Sequence, residues 1–445
     1  MKASAPTKVA VVGLGYVGSC VAGTLADGGW DVVGIDLDAG LIGELADGVC
    51  RFKEDELAEL LGRVVRRGTL RGTTDYAAVG GADVVLITVG TPVRDDGSLA
   101  DEQLRTACAE LGRHLRPGQL VILKSTVPPG VTRSLVLPLL ERSGLKGGED
   151  FALAFTPERL AEGTALRELR SFPIVVGGLD EASTTAAADF WTAALGVRVA
   201  RQDSLEAAEI VKLADNWWID LNIALANELA KFCALFGVDV LDVIEAANGI
   251  PKGVGNVNIL LPSAGVGGSC LTKDPWMVWQ TARSHGVEIL TAPAGRRVNE
   301  QMPRYTAHAI LAELAALGRE PARATVAVLG MAFKNNTGDL RSTPVTAVVE
   351  ALSAAGVRVR VHDPLVDPVE ARKLLGFGLS ATVHDAVRGA DCVAVLALHQ
   401  VFESLDYATL PVAVPCLVLD GRAYYSKEKI SSLRRLGYLY RGIGR

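Results

Sequence analysis

The sequence has little that would suit a secreted, membrane-embedded or nucleic-acid-binding protein. Its seven cysteines form no CxxC pair, and their odd number without a recognisable signal peptide favours free thiols in a reducing compartment, which we expect to be the cytoplasm. The early apolar stretch VAVVGLGYVG is too short and too rich in glycine for a membrane span, and no other stretch approaches the required length. A net charge of −6 does not favour nucleic acid or an anionic membrane as a partner. We therefore expect small diffusible ligands.

A regular alternation of short apolar runs and amphipathic stretches indicates an α/β protein. A chain of 445 residues that is 49% hydrophobic can bury two or three separate cores. Runs such as KVAVVGLG, ADVVLITVG and QLVILKST are typical of buried parallel strands, and the same rhythm resumes at ATVAVLGMAF, well beyond a long apolar helix predicted over 204–237. We expect two Rossmann-like doubly wound domains, 1–203 and 319–445, joined by a long central helix and a helical middle domain, 204–318.

The first glycine-rich turn, GLGYVG, has the spacing of a dinucleotide-binding loop. Gly13, Gly15 and Gly18 close a strand and open a helix, where glycine permits a tight turn and lets a pyrophosphate approach the backbone. The second strand ends at Asp36, whose carboxylate can accept hydrogen bonds from the adenosine ribose and would repel a ribose phosphate. The pattern predicts a site for NAD rather than NADP. The alternative is a structural turn followed by a solvated aspartate.

Polar residues follow three further predicted strands at their carboxyl ends. Thr88–Pro92 in TVGTP, Thr126 in KSTVPPG and Glu158 in TPERLAEG each come just after an apolar run. In an open parallel sheet, ligands bind at that edge. Each motif alone is typical of a loop or a helix start, but their shared placement favours a functional role.

A lysine and an asparagine lie four residues apart on the long predicted helix. Lys212 and Asn216 therefore project from one face, and their neighbours in sequence are mostly apolar. A buried ammonium beside an amide donor can stabilise a negatively charged oxygen that develops on a substrate carbon. Two alternatives stay open: a solvated surface pair, or a lysine neutralised by Asp220 or Glu228 on the same helix.

The stretch SAGVGGSCLTKDPW crowds glycines against one cysteine and a charge pair. Its glycines let the backbone wrap closely round a ligand and offer N–H groups to anions. Cys270 follows at a predicted helix start, where the positive end of the helix favours a thiolate, and Asp274 lies one turn further on. We therefore predict a reactive thiol at Cys270. Buried and inert thiols, the commoner fate of cysteine, are expected in the apolar runs at Cys20, Cys108, Cys233 and Cys392.

Together these motifs resemble the nucleotide-sugar 6-dehydrogenases, the family of UDP-glucose and UDP-N-acetylhexosamine dehydrogenases. The resemblance extends from about Lys8 to Arg445 and rests on GLGYVG, STVPPG, PERLAEGTAL, KLADN, GVGGSCLTKD, MAFKNNTGDLRSTP, DGR and YRGIGR. It implies that the primary alcohol at C6 of a UDP-sugar is oxidised twice, giving a uronic acid and two NADH. It also implies NAD as the cofactor, no metal, and a homodimer built on the long helix.

The resemblance further implies roles for single residues. Cys270 would attack the intermediate aldehyde to form a thiohemiacetal, which is oxidised to a thioester that water then hydrolyses. Lys212 and Asn216 would stabilise the oxyanion. Proton transfer and the positioning of water would fall to Thr126, Glu158 and Asp274.

The resemblance implies two sets of binding residues. The cofactor positions are Gly13, Leu14, Gly15, Tyr16, Val17, Gly18, Asp36, Val89, Gly90, Thr91, Pro92, Thr126, Glu162 and Arg341. The sugar-nucleotide positions are Glu158, Arg159, Leu160, Glu162, Lys212, Asn216, Leu261, Gly265, Val266, Gly267, Phe333, Lys334 and Arg422. Of these, the cations Lys334 and Arg422 suit a diphosphate.

The features that bear on the identity of the sugar point in two directions. NVNILLPSAGVGG and DPWMV are similar to the N-acetylhexosamine branch, whereas Ser269 and the pair Lys273 and Asp274 are similar to the UDP-glucose branch. Asn256 stands where the former branch usually has an arginine, whose contact Lys252 could replace. We expect a UDP-N-acetylhexosamine as the substrate, with UDP-glucose as the alternative.

Two other classes of function stay open. A hydroxyacid-type dehydrogenase shares a Rossmann domain followed by a long helix, but it forms one NADH per product and needs no thiol. A non-catalytic sugar-nucleotide-binding protein would be stabilised by its ligand without turnover. The joint presence of Lys212, Asn216, Cys270 and Asp274 argues against both.

Overall fold

The computed structural model describes residues 7–54, 56–252 and 255–445. The chain divides into two units, of which the first runs to Asp215 and includes Gln280–Val287, while the second comprises Asn216–Trp279 and Glu288–Arg445. Two helices, Leu205–Leu235 and Asp274–Ser284, contribute residues to both units.

The first unit contains an eight-stranded sheet. Its strands are β1 (Lys8–Val12), β2 (Asp31–Ile35), β3 (Leu70–Thr73), β4 (Val84–Ile87), β5 (Leu120–Leu123), β6 (Ala152–Phe155), β7 (Ile174–Gly178) and β8 (Val199–Gln202). Their order across the sheet is β3-β2-β1-β4-β5-β6-β7-β8, and all neighbours are parallel except β6 and β7. This is the doubly wound order extended by two strands, with its switch point between β1 and β4. The predicted parallel strands are confirmed; the antiparallel β7 was not predicted.

Helices cover both faces of this sheet. They are α1 (Tyr16–Asp27), α2 (Ala39–Ala46), α3 (Leu57–Arg66), α4 (Glu102–His114), α5 (Leu137–Leu140), α6 (Ala165–Leu169) and α7 (Glu181–Leu195). Val9 and Val11 of β1 belong to the core that contains α1, whereas Ala10 and Val12 belong to the core that contains α4. Successive residues of a strand point to opposite faces, so a strand buried on both sides consists of an unbroken apolar run.

The second unit consists of a helical part followed by a five-stranded sheet. The helical part contains most of α8 (Leu205–Leu235), α9 (Val240–Asn248), the antiparallel pair β9 (Pro251–Lys252) and β10 (Gly255–Asn256), the first part of α10 (Asp274–Ser284), and α11 (Thr291–Ala316). The strands of the sheet are β11 (Thr325–Leu329), β12 (Arg358–His362), β13 (Cys392–Val395), β14 (Leu417–Asp420) and β15 (Leu439–Gly442). They are all parallel, in the order β12-β11-β13-β14-β15. The helices beside them are α12 (Pro344–Ala354), α13 (Pro368–Leu375), α14 (Val383–Val387), α15 (Gln400–Glu403) and α16 (Lys427–Arg435).

The two large sheets begin with the same local geometry. Gly13 after β1 has a φ of 93°, and Gly330 after β11 has a φ of 83°. At the end of the next strand, Asp36 and Asp363 each accept a hydrogen bond of 2.7 Å from the first backbone N–H beyond that glycine.

The predicted α/β class with two Rossmann-like domains and a long helix is confirmed. Among the described residues, no helix combines the length and apolar character that a membrane crossing requires.

Candidate active site

The glycine-rich turn after β1 forms an open cradle at the carboxyl edge of the sheet. A Cβ on Gly18 would lie 1.9 Å from the carbonyl oxygen of Gly13, so α1 can approach β1 this closely only with glycine at position 18. No atom lies within 4 Å of the place where a Cβ on Gly15 would be, so this side of the turn has room for a ligand. Because α1 begins at Tyr16, free N–H groups of its first turn are available to an anion. These features fit the pyrophosphate of NAD.

Asp36 lies at the end of β2, beside this cradle. Its Oδ2 accepts the N–H of Leu14 at 2.7 Å, and its Oδ1 accepts the N–H of Asp38 at 3.0 Å. Each oxygen keeps a second lone pair for a ribose hydroxyl. The carboxylate is therefore held in the place where adenosine ribose binds in this fold.

We expect Asp36→Asn to weaken the preference for NAD over NADP. The amide keeps an acceptor for the N–H of Leu14 but removes the charge that repels a 2′-phosphate, so the ratio of kcat/KM values should fall about tenfold to a hundredfold. Steady-state kinetics with both cofactors measure this ratio. Asp38→Asn is the matched control, because Asp38 caps α2 at an exposed position. An unchanged ratio in Asp36→Asn would exclude a role for this charge.

The remaining predicted cofactor residues are divided between the two units. Thr88 follows β4 and donates to the carbonyl of Gly13 at 2.6 Å, and Ser125 donates to the carbonyl of Val89 at 2.6 Å. Tyr16 donates a hydrogen bond to the carboxylate of Glu54. Burial and this hydrogen bond together raise the pKa of Tyr16 well above its ordinary value. Residues of the first unit in this set are Leu14, Val17, Gly90, Thr91, Pro92, Thr126 and Glu162, whereas Arg341 belongs to the second unit.

Glu158 follows β6 and lines a small pocket of the first unit. Its Oε1 accepts the N–H of Leu160, while its Oε2 is buried without a hydrogen-bond partner. Lys124 lines the same pocket and is only 2% exposed, with its ammonium 5.0 Å from the ring centre of Trp191. Burial lowers the pKa of Lys124, an effect that the charge of Glu158 opposes. Sequence reasoning missed Lys124, since only its burial distinguishes it from a surface lysine.

Both polar residues of the predicted oxyanion pair are buried on α8, since Lys212 is 5% and Asn216 7% exposed. The alternative of a solvated surface pair is therefore wrong. Asp220 forms an ion pair with Arg296 at 2.7 Å instead of neutralising Lys212. Glu228 is exposed and lies sixteen residues further along the helix, about 24 Å away.

The loop before Cys270 is packed within the second unit. A Cβ on Gly267 would lie 2.6 Å from Cβ of Phe333, and one on Gly268, whose φ is 85°, would lie 2.8 Å from its ring. The N–H of Gly268 also donates to the carbonyl of Arg341 at 3.0 Å. Arg422 donates to the carbonyl of Phe333. The structure thus brings four of the predicted sugar-nucleotide positions together with Arg341: Gly265, Gly267, Phe333 and Arg422.

The cysteines differ in accessibility as predicted. Cys270 is exposed, whereas Cys20, Cys108, Cys233 and Cys392 are buried. The helix that follows Cys270 starts later than expected, because α10 begins at Asp274 and Cys270 lies in the preceding turn. The carbonyl of Cys270 nevertheless accepts the N–H of Asp274 at 2.9 Å, so the thiol stands at the first turn of helical hydrogen bonding.

Asp274 is the centre of a small polar cluster beside the cysteine turn. It is fully buried. Its Oδ2 accepts a hydrogen bond of 2.5 Å from Nδ2 of Asn216, and its Oδ1 forms an ion pair of 2.6 Å with Nζ of Lys273. The amide of Asn216, predicted to face an oxyanion, donates to this carboxylate. Within the second unit, Asn216 and Asp274 therefore join α8 to the turn that carries Cys270.

Arg296 on α11 is a further residue of this region that sequence reasoning missed. It is 2% exposed, pairs with Asp220 of α8 and donates to the carbonyl of Leu271 at 3.3 Å, next to Cys270. Asn299 also donates to Oδ1 of Asp220 at 2.8 Å. Burial raises the pKa of Asp220 in spite of these partners.

We expect Arg296→Met to lower the free energy of unfolding by about 3–5 kcal/mol, because it leaves the carboxylate of Asp220 buried without its cation. Urea unfolding measures the change. Arg297→Met is the matched control, since Arg297 is exposed and should cost at most about 0.5 kcal/mol. Equal costs for the two variants would contradict the importance of this ion pair.

Three family models match the chain. They are the NAD binding domain, the central domain and the UDP binding domain of the UDP-glucose/GDP-mannose dehydrogenase family, over residues 7–194, 206–301 and 327–427. The chain belongs to this family. The resemblance seen in the sequence and NAD as the cofactor are thereby confirmed.

Individual relatives are similar over almost the whole chain. A UDP-N-acetyl-D-mannosamine dehydrogenase of Pyrococcus horikoshii is 33% identical over 442 residues, which cover 98% of this chain and 99% of the relative. The solved structure of a UDP-D-ManNAc dehydrogenase from the same organism has a TM-score of 0.88 at 32% identity, and covers 99% of both chains. A solved UDP-glucose dehydrogenase of Pyrobaculum islandicum has a TM-score of 0.87 at 33% identity, covering 100% of this chain and 99% of its own.

Proposed function

We propose that this dehydrogenase oxidises the C6 primary alcohol of a UDP-N-acetylhexosamine to the uronic acid in two successive two-electron steps. The observation that carries the proposal is the exposed thiol of Cys270, on a turn tied through buried Asp274 to Asn216 of α8. A second oxidation at the same carbon requires that the aldehyde be held and converted to a species that can lose hydride again. An accessible thiol can do so by forming a covalent adduct.

The proposed reaction has four steps. The alcohol loses a hydride and a proton to become the aldehyde. The Cys270 thiolate then bonds to the aldehyde carbon while the carbonyl oxygen takes up a proton, which gives a thiohemiacetal. Loss of a second hydride and of the hydroxyl proton gives a thioester. Water attacks the thioester carbon, the carbon–sulfur bond breaks, and the uronic acid and the thiol are released. NAD supplies the hydride acceptor at each oxidation.

We assign the supporting roles to polar residues that are buried or half-buried. Lys212 stabilises the charge on the substrate oxygen. Asp274, which accepts a hydrogen bond from Asn216 and pairs with Lys273, orients the amide of Asn216. Glu158 and Thr126, at the carboxyl edge of the first sheet, handle the proton of the attacking water. The unpartnered Oε2 of Glu158 is an acceptor available for that proton.

The N-acetylated substrate is supported by the similarity to UDP-N-acetyl-D-mannosamine dehydrogenases, and UDP-glucose remains the second candidate because of the similarity to a UDP-glucose dehydrogenase. The test is to incubate the protein with NAD and each of a panel of UDP-hexoses and UDP-N-acetylhexosamines, and to measure NADH and acid. We expect two NADH per acid, with the highest kcat/KM for an N-acetylated sugar. One NADH per product would contradict the mechanism, and binding without turnover would indicate a non-catalytic protein.

We also propose a homodimer that uses α8. Trp218, Leu225 and Phe232 repeat every seven residues and so form one stripe, and they are 47%, 46% and 59% exposed. An apolar stripe of this length is typical of a surface that another chain covers. Light scattering should give a dimer for the wild type and a monomer for the double variant Leu225→Glu with Phe232→Glu. Val369→Glu, at an exposed apolar position on α13, is the control, and a monomeric wild type would contradict the proposal.

Two broader proposals complete this assignment. We propose that residues 1–203 bind NAD, 204–318 carry the dimer surface and Cys270, and 319–445 bind the sugar nucleotide; each matched family model falls inside one of these ranges, which supports them. We also propose a cytoplasmic location, which is supported by seven free cysteines.

A further inference from the structure

The loop after β11, residues 333–336, is held by a hydrogen-bond network that plays no part in the reaction proposed above. Its first two residues, Phe333 and Lys334, are predicted to contact the sugar nucleotide, and Arg422 donates to the carbonyl of Phe333. Its last two residues, Asn335 and Asn336, contact the segment 398–400 that leads into α15. The position of the predicted diphosphate-binding loop therefore depends on this segment.

Three hydrogen bonds join the asparagines to that segment. The N–H of Leu398 donates to Oδ1 of Asn335 at 3.0 Å, and the N–H of Gln400 donates to Oδ1 of Asn336 at 2.7 Å. The N–H of Asn336 donates to Nδ1 of His399 at 2.8 Å. Asn336 has a φ of 56°, a left-handed conformation that asparagine adopts more readily than most residues other than glycine. The three bonds hold the loop in this conformation.

The two neighbours of the His399 ring determine its tautomer. Since Nδ1 accepts the N–H of Asn336, it carries no proton, and Nε2 then carries the proton that it shares with Oδ2 of Asp363 at 2.9 Å. Oδ2 of Asp363 also accepts the N–H of Met331 at 2.7 Å. His399 is 1% exposed, so water cannot replace either partner. The ring is neutral and connects the buried carboxylate to the loop.

Asp363 is suited to remain an acceptor. Burial raises the pKa of Asp363, whereas the hydrogen bonds that it accepts from His399 and from the N–H groups of Leu365 and Met331 lower it. Asp363 corresponds in position to Asp36 of the first sheet. Asp36 lies beside the predicted NAD site, whereas Asp363 is bonded to His399.

We propose that His399, as the neutral Nε2–H tautomer, is a positioning residue that holds Phe333 and Lys334 in place for the diphosphate of the sugar nucleotide. This inference rests on the proposed function, because it takes the loop 333–336 as part of the sugar-nucleotide site. It assigns the effect to one bond, from the N–H of Asn336 to Nδ1 of His399. Loss of that bond should weaken binding of the sugar nucleotide and leave NAD binding unchanged.

Two amide variants separate the two bonds of the ring. In His399→Asn the amide oxygen is as many bonds from the backbone as Nδ1, so it can accept the N–H of Asn336. In His399→Gln the amide nitrogen is as many bonds away as Nε2, so it can donate to Asp363, but glutamine has no acceptor at the position of Nδ1, where Asn336 donates. We expect His399→Gln to raise the KM for the sugar nucleotide and the Kd for UDP about tenfold, and His399→Asn to change them about twofold or less. In both variants kcat and the KM for NAD should match the wild type, as in the control His384→Gln at an exposed position of α14.

Two readouts that need no turnover test the inference separately from the proposed function. Long-range ¹H–¹⁵N spectra should show His399 as the Nε2–H tautomer at neutral pH, and hydrogen exchange at the Asn336 amide should be slow in the wild type and faster in His399→Gln. Equal effects of the Gln and Asn variants on the Kd for UDP, a charged ring, or an unprotected Asn336 amide would each overturn the inference. If the tautomer and the protection are as expected but no sugar nucleotide is oxidised, the proposed function fails and the assigned role of His399 is judged by the Kd for UDP.

Discussion

Replacement of Cys270 by alanine should abolish formation of the uronic acid, lowering its rate by about 10³-fold or more. Without the sulfur, the aldehyde has no covalent partner and cannot be oxidised a second time by the proposed steps. The exposed position of Cys270 means that its loss creates no cavity, so the thermal midpoint of unfolding should stay near that of the wild type. Rapid-quench assays that follow aldehyde, acid and NADH measure each step.

The matched control is Cys50→Ala, since Cys50 is a partly buried free thiol of the first unit. This variant should retain acid formation with two NADH per product. Mass spectrometry of wild-type protein quenched during turnover should detect a sugar adduct on the peptide that contains Cys270. Formation of the uronic acid by Cys270→Ala at a rate near that of the wild type would contradict the covalent mechanism.

The features that sequence reasoning predicted correctly depend on local signals. Gly13 and Gly18 are needed because β1 and α1 approach one another within a few residues, and Cys270 is exposed because glycines and charged residues surround it in sequence. The same applies to Lys212 and Asn216, whose apolar neighbours indicate a buried helix. In each case the residues that determine the environment lie within about two helical turns of the site.

The features that it missed depend on partners far apart in the chain. Arg296 is 76 residues from Asp220, and His399 is 36 residues from Asp363. An arginine in a helix or a histidine in a loop carries no local sign of burial, because its burial is decided by which elements pack together. The antiparallel β7 was missed for a related reason, since an apolar run has the same composition in either direction.

Lys212→Met should lower kcat by about 10²–10³-fold, the usual cost of removing a donor that stabilises charge in a transition state. The acids nearest along the helix have other partners: buried Glu209 accepts hydrogen bonds from Gly130 and Thr132, Asp215 pairs with Arg159, and Asp220 pairs with Arg296. Lys212 is 5% exposed, so its ammonium loses most of its hydration on folding. Methionine has a similar length and no such desolvation cost, so the thermal midpoint should hold or rise while activity falls.

Lys231→Met is the control on the same helix, where the ammonium lies 5.5 Å from the ring centre of Tyr305. It removes a charge from α8 without touching the predicted oxyanion pair, so kcat should stay within about twofold of the wild type. Steady-state kinetics and thermal unfolding of the three proteins separate catalysis from stability. A loss of activity in Lys212→Met that is matched by an equal loss of folded protein would show a structural lysine, whereas a stable and inactive protein is the result that oxyanion stabilisation requires.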